Sequence, residues 1–280
     1  MIKTSTALLV VTALANILCA LPAQAQRVFV SGAGSDSNPC TFTQPCRSFQ
    51  QAFNTVVAVT TSGGEIDVLD PAGYGALNIT HAISVQGHGF AGITQATSGA
   101  NAITINAGGT DEITLNGLLL DGEGTGQDGV LVNTAGSVQI LNCVIRHFTD
   151  YGVIFAPTNS PSNLLVSDTV TSDNGATGIF VEETNGVATT PATLNRVTAN
   201  NNNYGVTLNG GYLMIANSVM SNNSSVGLQS DSGTAWLGTS AISGNTGGVN
   251  VSGGTINSYG NNAINGNMSD ISGMTTISPE

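Results

Sequence analysis

The sequence predicts an all-β chain that folds as a single-stranded, right-handed parallel β-helix. This solenoid has roughly nine coils and one capping α-helix at its N-terminal side. Three observations predict this fold. Short runs of Val, Ile and Leu alternate with polar residues from Glu65 onward, three sequence marks recur together, and one amphipathic helical pattern precedes them.

Residues 1–25 have the pattern of a secretory signal. Lys3 is followed by an apolar run over residues 7–21 and by a small-x-small cleavage site, Ala23-Gln24-Ala25. The run is shorter than the ~20 residues that cross a bilayer, so no transmembrane anchor is predicted. We therefore expect export to the periplasm, the cell surface or the medium.

Cleavage after Ala25 leaves four arginines, no lysine and 17 acidic residues, and so a net charge of −13. A surface with this charge repels phosphate, which argues against a nucleic-acid partner. It also repels other anionic polymers unless a divalent cation bridges the two.

Residues 26–64 are predicted to form an opening strand, a disulfide loop and the cap helix. Cys40 and Cys46 flank a short loop and are expected to pair in an exported protein. The helical pattern runs from Arg47 to Val57, with apolar residues at i, i+3, i+4, i+7 and i+8. Cys143 then has no partner and is expected to be an inert thiol in a packed interior.

Residues 65–272 contain the repeat, and residues 273–280 are predicted to be a C-terminal tail. The first mark is a glycine that opens a Gly-[Val/Ile/Leu]-x-x unit, at Gly129, Gly152, Gly178, Gly205, Gly227 and Gly248. The second is a three-residue block that begins at Asn142, Asp168, Asn195, Asn217 and Thr239. The third is an asparagine, at Asn174, Asn201, Asn223 and Asn245. The marks move together, so each repeat is interpreted as one coil of three short strands and three bends.

Other β folds fit these marks less well. A propeller blade needs a period of ~40–50 residues, and a sandwich would not keep one register through all the marks. Asparagine at a bend suits the left-handed conformation, and its amides can bond up the stack of coils.

The strand phase leaves one alternative open. Arg196 aligns with Cys143 when the three-residue blocks are superimposed. A charged side chain at this position favours one that faces outward. Ile145, Met220 and Ile242 follow the last residue of their blocks. Apolar residues at this place favour an inward-facing Cys143 position, because the two positions lie on the same face of the strand.

Three segments resemble small exported right-handed parallel β-helix repeat proteins of the pectin-lyase-like superfamily. They are the opening Val30-Ser-Gly-Ala-Gly-Ser-Asp-Ser-Asn-Pro-Cys with Pro45-Cys-Arg-Ser-Phe-Gln-Gln-Ala-Phe, Ile83-Ser-Val-Gln-Gly-His-Gly, and the repeated Asn-Ser-Val, Asn-Asn and Gly-Val. The resemblance implies the fold. It does not imply one activity, because the superfamily contains lyases, hydrolases, epimerases, adhesins and inert scaffolds.

One bend is the best candidate for chemistry. Alignment of the coils on Val144, Val170 and Val197 brings four charged residues to it: Arg146, His147, Asp150 and Asp173. The alignment stacks His147 on Asp173, about one strand spacing away, and on Asn200 in the next coil. A histidine held by a carboxylate can act as an acid or a base.

An acidic, glycine-rich loop is a candidate calcium site. Asp121, Glu123 and Asp128 could hold Ca²⁺ there, although the loop lacks the EF-hand pattern and a solvated loop is the alternative. No other cofactor is predicted.

A binding face is predicted from two tyrosines. Tyr151 and Tyr204 each precede a repeat glycine, two coils apart with Thr177 between them, so they could form a platform for sugar rings. Glu182 lies on a different bend from His147 and is the third candidate binding residue.

Two functions follow. The favoured one is an exported scaffold without catalytic activity that binds a polysaccharide or a cell-surface partner along one face. The alternative is a polysaccharide lyase, epimerase or hydrolase with its site at Arg146, His147, Asp150 and Asp173. Gly87-His88-Gly89 is similar to a polygalacturonase motif, but the Asn-Thr-Asp, Asp-Asp and Arg-Ile-Lys elements of those enzymes are absent, which favours the scaffold.

Overall fold

The computed structural model describes residues 26–60, 63–158, 162–184 and 191–278. The predicted signal, residues 1–25, lies outside the described residues. Within the described ranges, no helix is long and apolar enough to cross a membrane.

The described part of the chain contains one α-helix, α1 (Phe49–Val57), and many short strands. The strands of the N-terminal half are β1 (Gln26–Val30), β2 (Gly64–Val68), β3 (Ala72–Gly73), β4 (Leu77–Ile79), β5 (Ile83–Thr94), β6 (Ile103–Asn106), β7 (Glu112–Asp121), β8 (Val130–Thr134), β9 (Ser137–Leu141), β10 (Val144–Arg146), β11 (Val153–Phe155) and β12 (Asn163–Ser167). Those of the C-terminal half are β13 (Val170–Ser172), β14 (Thr177–Glu182), β15 (Pro191–Asn195), β16 (Thr198–Asn200), β17 (Tyr204–Ala216), β18 (Val219–Ser221), β19 (Val226–Gly238), β20 (Ala241–Ser243), β21 (Gly247–Val251), β22 (Thr255–Ser258), β23 (Ala263–Ile264), β24 (Ser269–Ser272) and β25 (Thr275–Thr276).

These strands stack in three ladders, and all the pairings between them are parallel. The first ladder runs through β1, β2, the first halves of β5 and β7, then β9, β12, β15, the second halves of β17 and β19, β22 and β25. The second runs through β3, the second halves of β5 and β7, then β10, β13, β16, β18, β20 and β23. The third runs through β4, β6, β8, β11, β14, the first halves of β17 and β19, β21 and β24. The predicted all-β parallel solenoid is confirmed, and β25 lies inside the segment predicted to be a tail.

Columns of apolar side chains fill the interior. One column consists of fully buried residues at one position of the first ladder: Ile140, Val166, Leu194, Ile215 and Leu237. The strands alternate in and out with a period of two, so polar residues between these positions face the solvent.

The repeat glycines allow the coils to approach closely. A Cβ added to Gly178 would lie 2.7 Å from the carbonyl oxygen of Gly205, and one added to Gly205 would lie 2.5 Å from that of Gly227. Real Cβ atoms do not come this close to a carbonyl oxygen, so a side chain at these positions would push the coils apart.

The N-terminal segment contains the predicted helix and the predicted disulfide. Helix α1 begins two residues later than the sequence pattern, after Ser48, whose hydroxyl accepts a hydrogen bond from the Gln51 N–H at 3.2 Å. The predicted disulfide joins Cys40 and Cys46. The helix packs against β1, β2 and β4 through one buried face. Its role as a cap and the number of coils stay predictions.

The slot of Cys143 faces inward, which resolves the alternative that the sequence left open. Cys143 and Val197 are each 2% exposed and occupy equivalent positions of successive bends. Arg196 instead matches Asn142, because both have a left-handed backbone, with φ of 53°. The alignment of Val197 with Val144 was therefore wrong by one residue, and Thr198 takes that place in the ladder.

The same offset corrects the predicted asparagine ladder. The amides that stack up the bend are the buried Asn174, Asn202, Asn223 and Asn245 and the half-buried Asn267, linked by bonds of 2.9 to 3.3 Å. Asn201 is not a member: it is exposed and left-handed, with φ of 58°. The bend needs one left-handed residue before the buried amide, and Asn201 fills that place.

Candidate functional site

An open groove of about 810 Å³ lies on the bend between the second and third ladders. We call it the bend groove; the polar residues that line it include Asp121, Glu123, His147, Asp173 and Asn201. Glu123, His147, Asp173 and Asn201 all have a left-handed backbone, with φ between 50° and 59°. This conformation directs successive polar side chains outward at one edge of the solenoid.

His147 is held by a carboxylate, but not by the one that the sequence predicted. His147 and Asp173 do occupy equivalent positions of adjacent bends. The imidazole Nδ1, however, lies 3.1 Å from Asp121 Oδ1 in the preceding coil. Asp121 Oδ2 accepts a hydrogen bond from Arg146 Nε at 3.0 Å. The register offset also places Asn200 beside Ser172, in the column of Arg146 and not in that of His147.

The pKa of Asp121 is lowered overall. Partial burial of the carboxyl raises its pKa, but hydrogen bonds from the Glu123 N–H, His147 and Arg146 outweigh that effect. The groove therefore contains an ionised carboxylate that orients an imidazole 44% exposed to solvent.

Asp150 and Asp128, predicted for the candidate catalytic bend and for the calcium loop, lie outside the bend groove. Asp128 is only 4% exposed, and its Oδ1 accepts a hydrogen bond from the Tyr151 N–H at 3.2 Å. The pKa of Asp128 is raised to about 6, mainly by burial; the hydrogen bond from the Tyr151 N–H opposes this rise, and the charge of Asp150 contributes to it.

The predicted calcium loop does not gather its three carboxylates. Asp121 and Glu123 reach the bend groove, whereas Asp128 is buried beneath Tyr151. In the part of the chain that the structure describes, no three His, Cys, Asp or Glu side chains are grouped so that they could hold a metal ion. These residues do not fit a protein-built calcium cage.

Tyr151 and Tyr204 lie in one column of the third ladder. Thr177 lies between them, as predicted. The ring of Tyr151 stacks on Phe180 with centroids 5.2 Å apart and planes 27° apart. We call the surface formed by Tyr151, Phe180 and Tyr204 the aromatic face. Stacked rings with accessible edges are typical of sites that take a flat, partly apolar ligand.

A cavity of about 290 Å³ opens on this face. The rings of Tyr151, Phe180 and Tyr204 line it together with polar side chains, among them Thr207, Gln229 and Asp231. Glu182 does not line this cavity; its Oε1 accepts a hydrogen bond from Asn209 Nδ2 at 3.3 Å. Burial raises the pKa of Tyr151, and the charges of Asp150, Asp128 and Glu182 raise it further.

Sequence reasoning missed Phe180, Thr207, Gln229 and Asp231. A signal for three of them was present, because Phe180, Thr207 and Gln229 each occupy the third position of a Gly-[Val/Ile/Leu]-x-x unit. That position points outward in every coil. Asp231 lies where the pairing of β17 and β19 is irregular, and no repeat position predicts it.

Comparison with known proteins identifies the fold. No family model matches the sequence, and no curated protein matches it. Among solved structures, pectate lyase Pel9A is similar, with a TM-score of 0.61 and 16% identity over 86% of this chain and 71% of the lyase chain. The A-module of the mannuronan C-5 epimerase AlgE6 from Azotobacter vinelandii matches with a TM-score of 0.37 and 13% identity over 82% of this chain and 94% of the module. The likeness to the lyase shows that this chain has a parallel β-helix fold.

Proposed function

We propose that this protein is an exported β-helix scaffold without catalytic activity that binds a polysaccharide on its aromatic face. The observation that carries the proposal is the stack of Tyr151 on Phe180 beside the cavity that Tyr204 also lines. Aromatic rings pack against the apolar faces of sugar rings, while polar groups beside them fix the orientation of the ligand.

Two further observations support an exported, glycan-binding protein. The bond between Cys40 and Cys46 is of a kind that persists in oxidising compartments outside the cytosol. A lyase of pectate has the same fold, and pectate is a polysaccharide. A cell-surface glycan is accordingly the partner that we propose, rather than a nucleic acid.

The test is retention of the full protein on a panel of neutral, uronate-containing and amine-containing polysaccharides. Tyr151→Ala and Phe180→Ala are each expected to weaken retention about tenfold, the effect of losing one central aromatic contact. Tyr212→Ala is the matched control, because Tyr212 is 45% exposed but belongs to the first ladder.

Circular dichroism must show that all three variants fold. Retention on no polymer of the panel would contradict the proposal. Equal loss in the Tyr212→Ala control would show that the aromatic face is not the binding surface.

The second candidate function is a polysaccharide lyase, epimerase or hydrolase at the bend groove. The observation that favours it is the contact of His147 Nδ1 with Asp121 Oδ1 at 3.1 Å in an open groove. With the proton on Nδ1, His147 donates to Asp121 and keeps Nε2 as a base. Asp173 and Glu123 line the same groove and could act as the acid.

This alternative is tested by assaying the same polymers for unsaturated products and reducing ends, with and without Ca²⁺. An enzyme is expected to lose turnover at least a hundredfold in His147→Ala, the usual contribution of a general base. Absence of product from every polymer excludes the enzyme for that panel. Calcium-dependent binding or turnover would support the predicted calcium role of Asp121 and Glu123.

A further inference from the structure

The cavity on the aromatic face has the size of a site for one small ring. Its volume of about 290 Å³ is at the lower limit of small-ligand sites, which span about 300–1,000 Å³. Tyr151, Phe180 and Tyr204 supply an apolar wall, and Gln229 and Asp231 supply a polar one. A single sugar residue of a longer chain has both kinds of surface.

Thr207 contributes to the wall of this cavity, not a polar contact. It is 5% exposed and lines the cavity, but its Oγ1 is inaccessible to solvent and has no hydrogen-bond partner among the described residues. The hydroxyl of Thr171 is in the same state. The polar groups that a ligand can reach are therefore those of the wall formed by Gln229 and Asp231.

The charges around the cavity are negative and are not compensated by the protein. Asp231 lines the cavity, and its Oδ1 accepts hydrogen bonds from Gln229 Nε2 and Ser252 Oγ, both at 2.6 Å. Its Oδ2 has no partner in the described ranges. Glu182, Asp150 and Asp128 act on the neighbouring Tyr151.

No Arg, Lys or His lines this cavity. The described arginines that form ion pairs do so elsewhere, with Glu65, Asp121 and Asp168. A uronate carboxylate would be repelled here, whereas a cationic group would be attracted. A bare metal ion does not fit, because Asp231 is the one carboxylate that lines the cavity.

We propose that this cavity binds an amino sugar with a protonated amine, as one residue of the polysaccharide. Its ring stacks on Tyr151 and Phe180, and the ammonium faces Asp231. The inference rests on the proposed binding function and specifies the chemical class of its ligand.

The test compares two oligosaccharides that differ only at the amine. A β-1,4-linked glucosamine tetramer and its N-acetylated form are titrated into the full protein by calorimetry, at a pH below the pKa of the amine. The glucosamine tetramer is expected to bind about tenfold more tightly, since its ammonium forms a hydrogen bond between charged groups with Asp231. Added salt is expected to reduce this preference.

Two variants locate the contacts. Asp231→Asn is expected to abolish the preference for the glucosamine tetramer. Glu112→Gln is the control, because it removes an exposed carboxylate on the first ladder. It is expected to leave the preference for the glucosamine tetramer unchanged.

The outcomes separate the two proposals. Equal affinity for the two tetramers, or a preference that survives in Asp231→Asn, overturns the amino-sugar assignment. If a neutral or uronate polymer then binds in a Tyr151-dependent way, the glycan-binding function stands alone. Absence of binding to every oligosaccharide and polymer overturns both proposals.

Discussion

Single residues with a left-handed backbone set the direction of the side chains around them. Asp168 and Arg196 occupy equivalent bends of adjacent coils, with φ of 54° and 53°. Arg196 Nε therefore lies 2.6 Å from Asp168 Oδ1. The hydrogen bond from Arg196 lowers the pKa of Asp168 to about 2. The left-handed backbone at the two bends thus directs both side chains into an ion pair that links two coils.

Asp128 gives a pH-dependence prediction. Burial raises its pKa from 3.8 to about 6. The folded state then binds a proton more tightly than the unfolded state, so this group destabilises the fold once it ionises. The loss of folding stability caused by Asp128 is absent below about pH 4. It is complete above about pH 6, where it is on the order of 2 kcal/mol. Asp128→Asn keeps an oxygen for the Tyr151 N–H and is expected to raise stability at pH 7 more than at pH 4.

Urea unfolding of the natural protein and of Asp128→Asn at both pH values checks this. Glu112→Gln, which removes an exposed carboxyl, is the control. An equal difference between variant and natural protein at pH 4 and pH 7 would contradict the prediction.

At the scale of elements, the buried asparagine ladder ties the coils together. Asn174, Asn202, Asn223 and Asn245 each donate from Nδ2 to a backbone carbonyl of the preceding coil and to the amide oxygen of the next coil. Asn223 illustrates this: it is 1% exposed, its Nδ2 donates to Ala199 O at 3.1 Å, and its Oδ1 accepts from the Asn202 N–H at 3.0 Å. Buried polar groups are stabilising only when all their partners are present.

Asn223→Ala is expected to lower the free energy of unfolding by about 3 kcal/mol or more, because it leaves two buried backbone groups unpaired. Asn195→Ala is the matched control. It removes one hydrogen bond from Asn217, on the exposed side of a bend, and is expected to cost less than about 1 kcal/mol. Equal losses in urea unfolding would show that the buried ladder has no special role.

Helix α1 gives a second prediction at this scale, which tests its role as a cap. Phe53 is 2% exposed and faces the first strands, whereas Phe42 is 65% exposed. Phe53→Ala is expected to cost about 3–5 kcal/mol and to increase self-association by uncovering the end of the core. Phe42→Ala is the control. Light scattering that stays unchanged in Phe53→Ala would argue against the cap.

At the scale of the whole molecule, each strand inside a ladder has a neighbour on both sides, and the last strand has one. Stability in such repeat structures is close to a sum over neighbouring coils. All four residues of β24 are exposed, whereas β13 and β16 contain buried residues and are paired on both sides.

We expect hydrogen exchange to follow this arrangement. The amides of β24 are expected to exchange at least tenfold faster than those of β13 and β16, since local opening of the end coil exposes less apolar surface. Mass spectrometry after timed labelling measures the difference. Uniform exchange along the solenoid would show that the chain opens only as a whole.

The sequence by itself determined the features that depend on local periodicity. These are the parallel solenoid, the helix after Ser48, the disulfide between Cys40 and Cys46, and the column of Tyr151 and Tyr204. Each repeats or closes within one coil, so the order of residues is enough to predict it.

The tertiary structure decided which side chains meet between coils. A single offset at Arg196 moved Val197 into the interior and Asn202 into the ladder, and this could not be read from spacing alone. Side chains alternate between the two faces of a strand, so a shift of one residue reverses every direction after it. For the same reason only the folded chain showed that His147 contacts Asp121 and that Thr207 and Asp231 border one cavity.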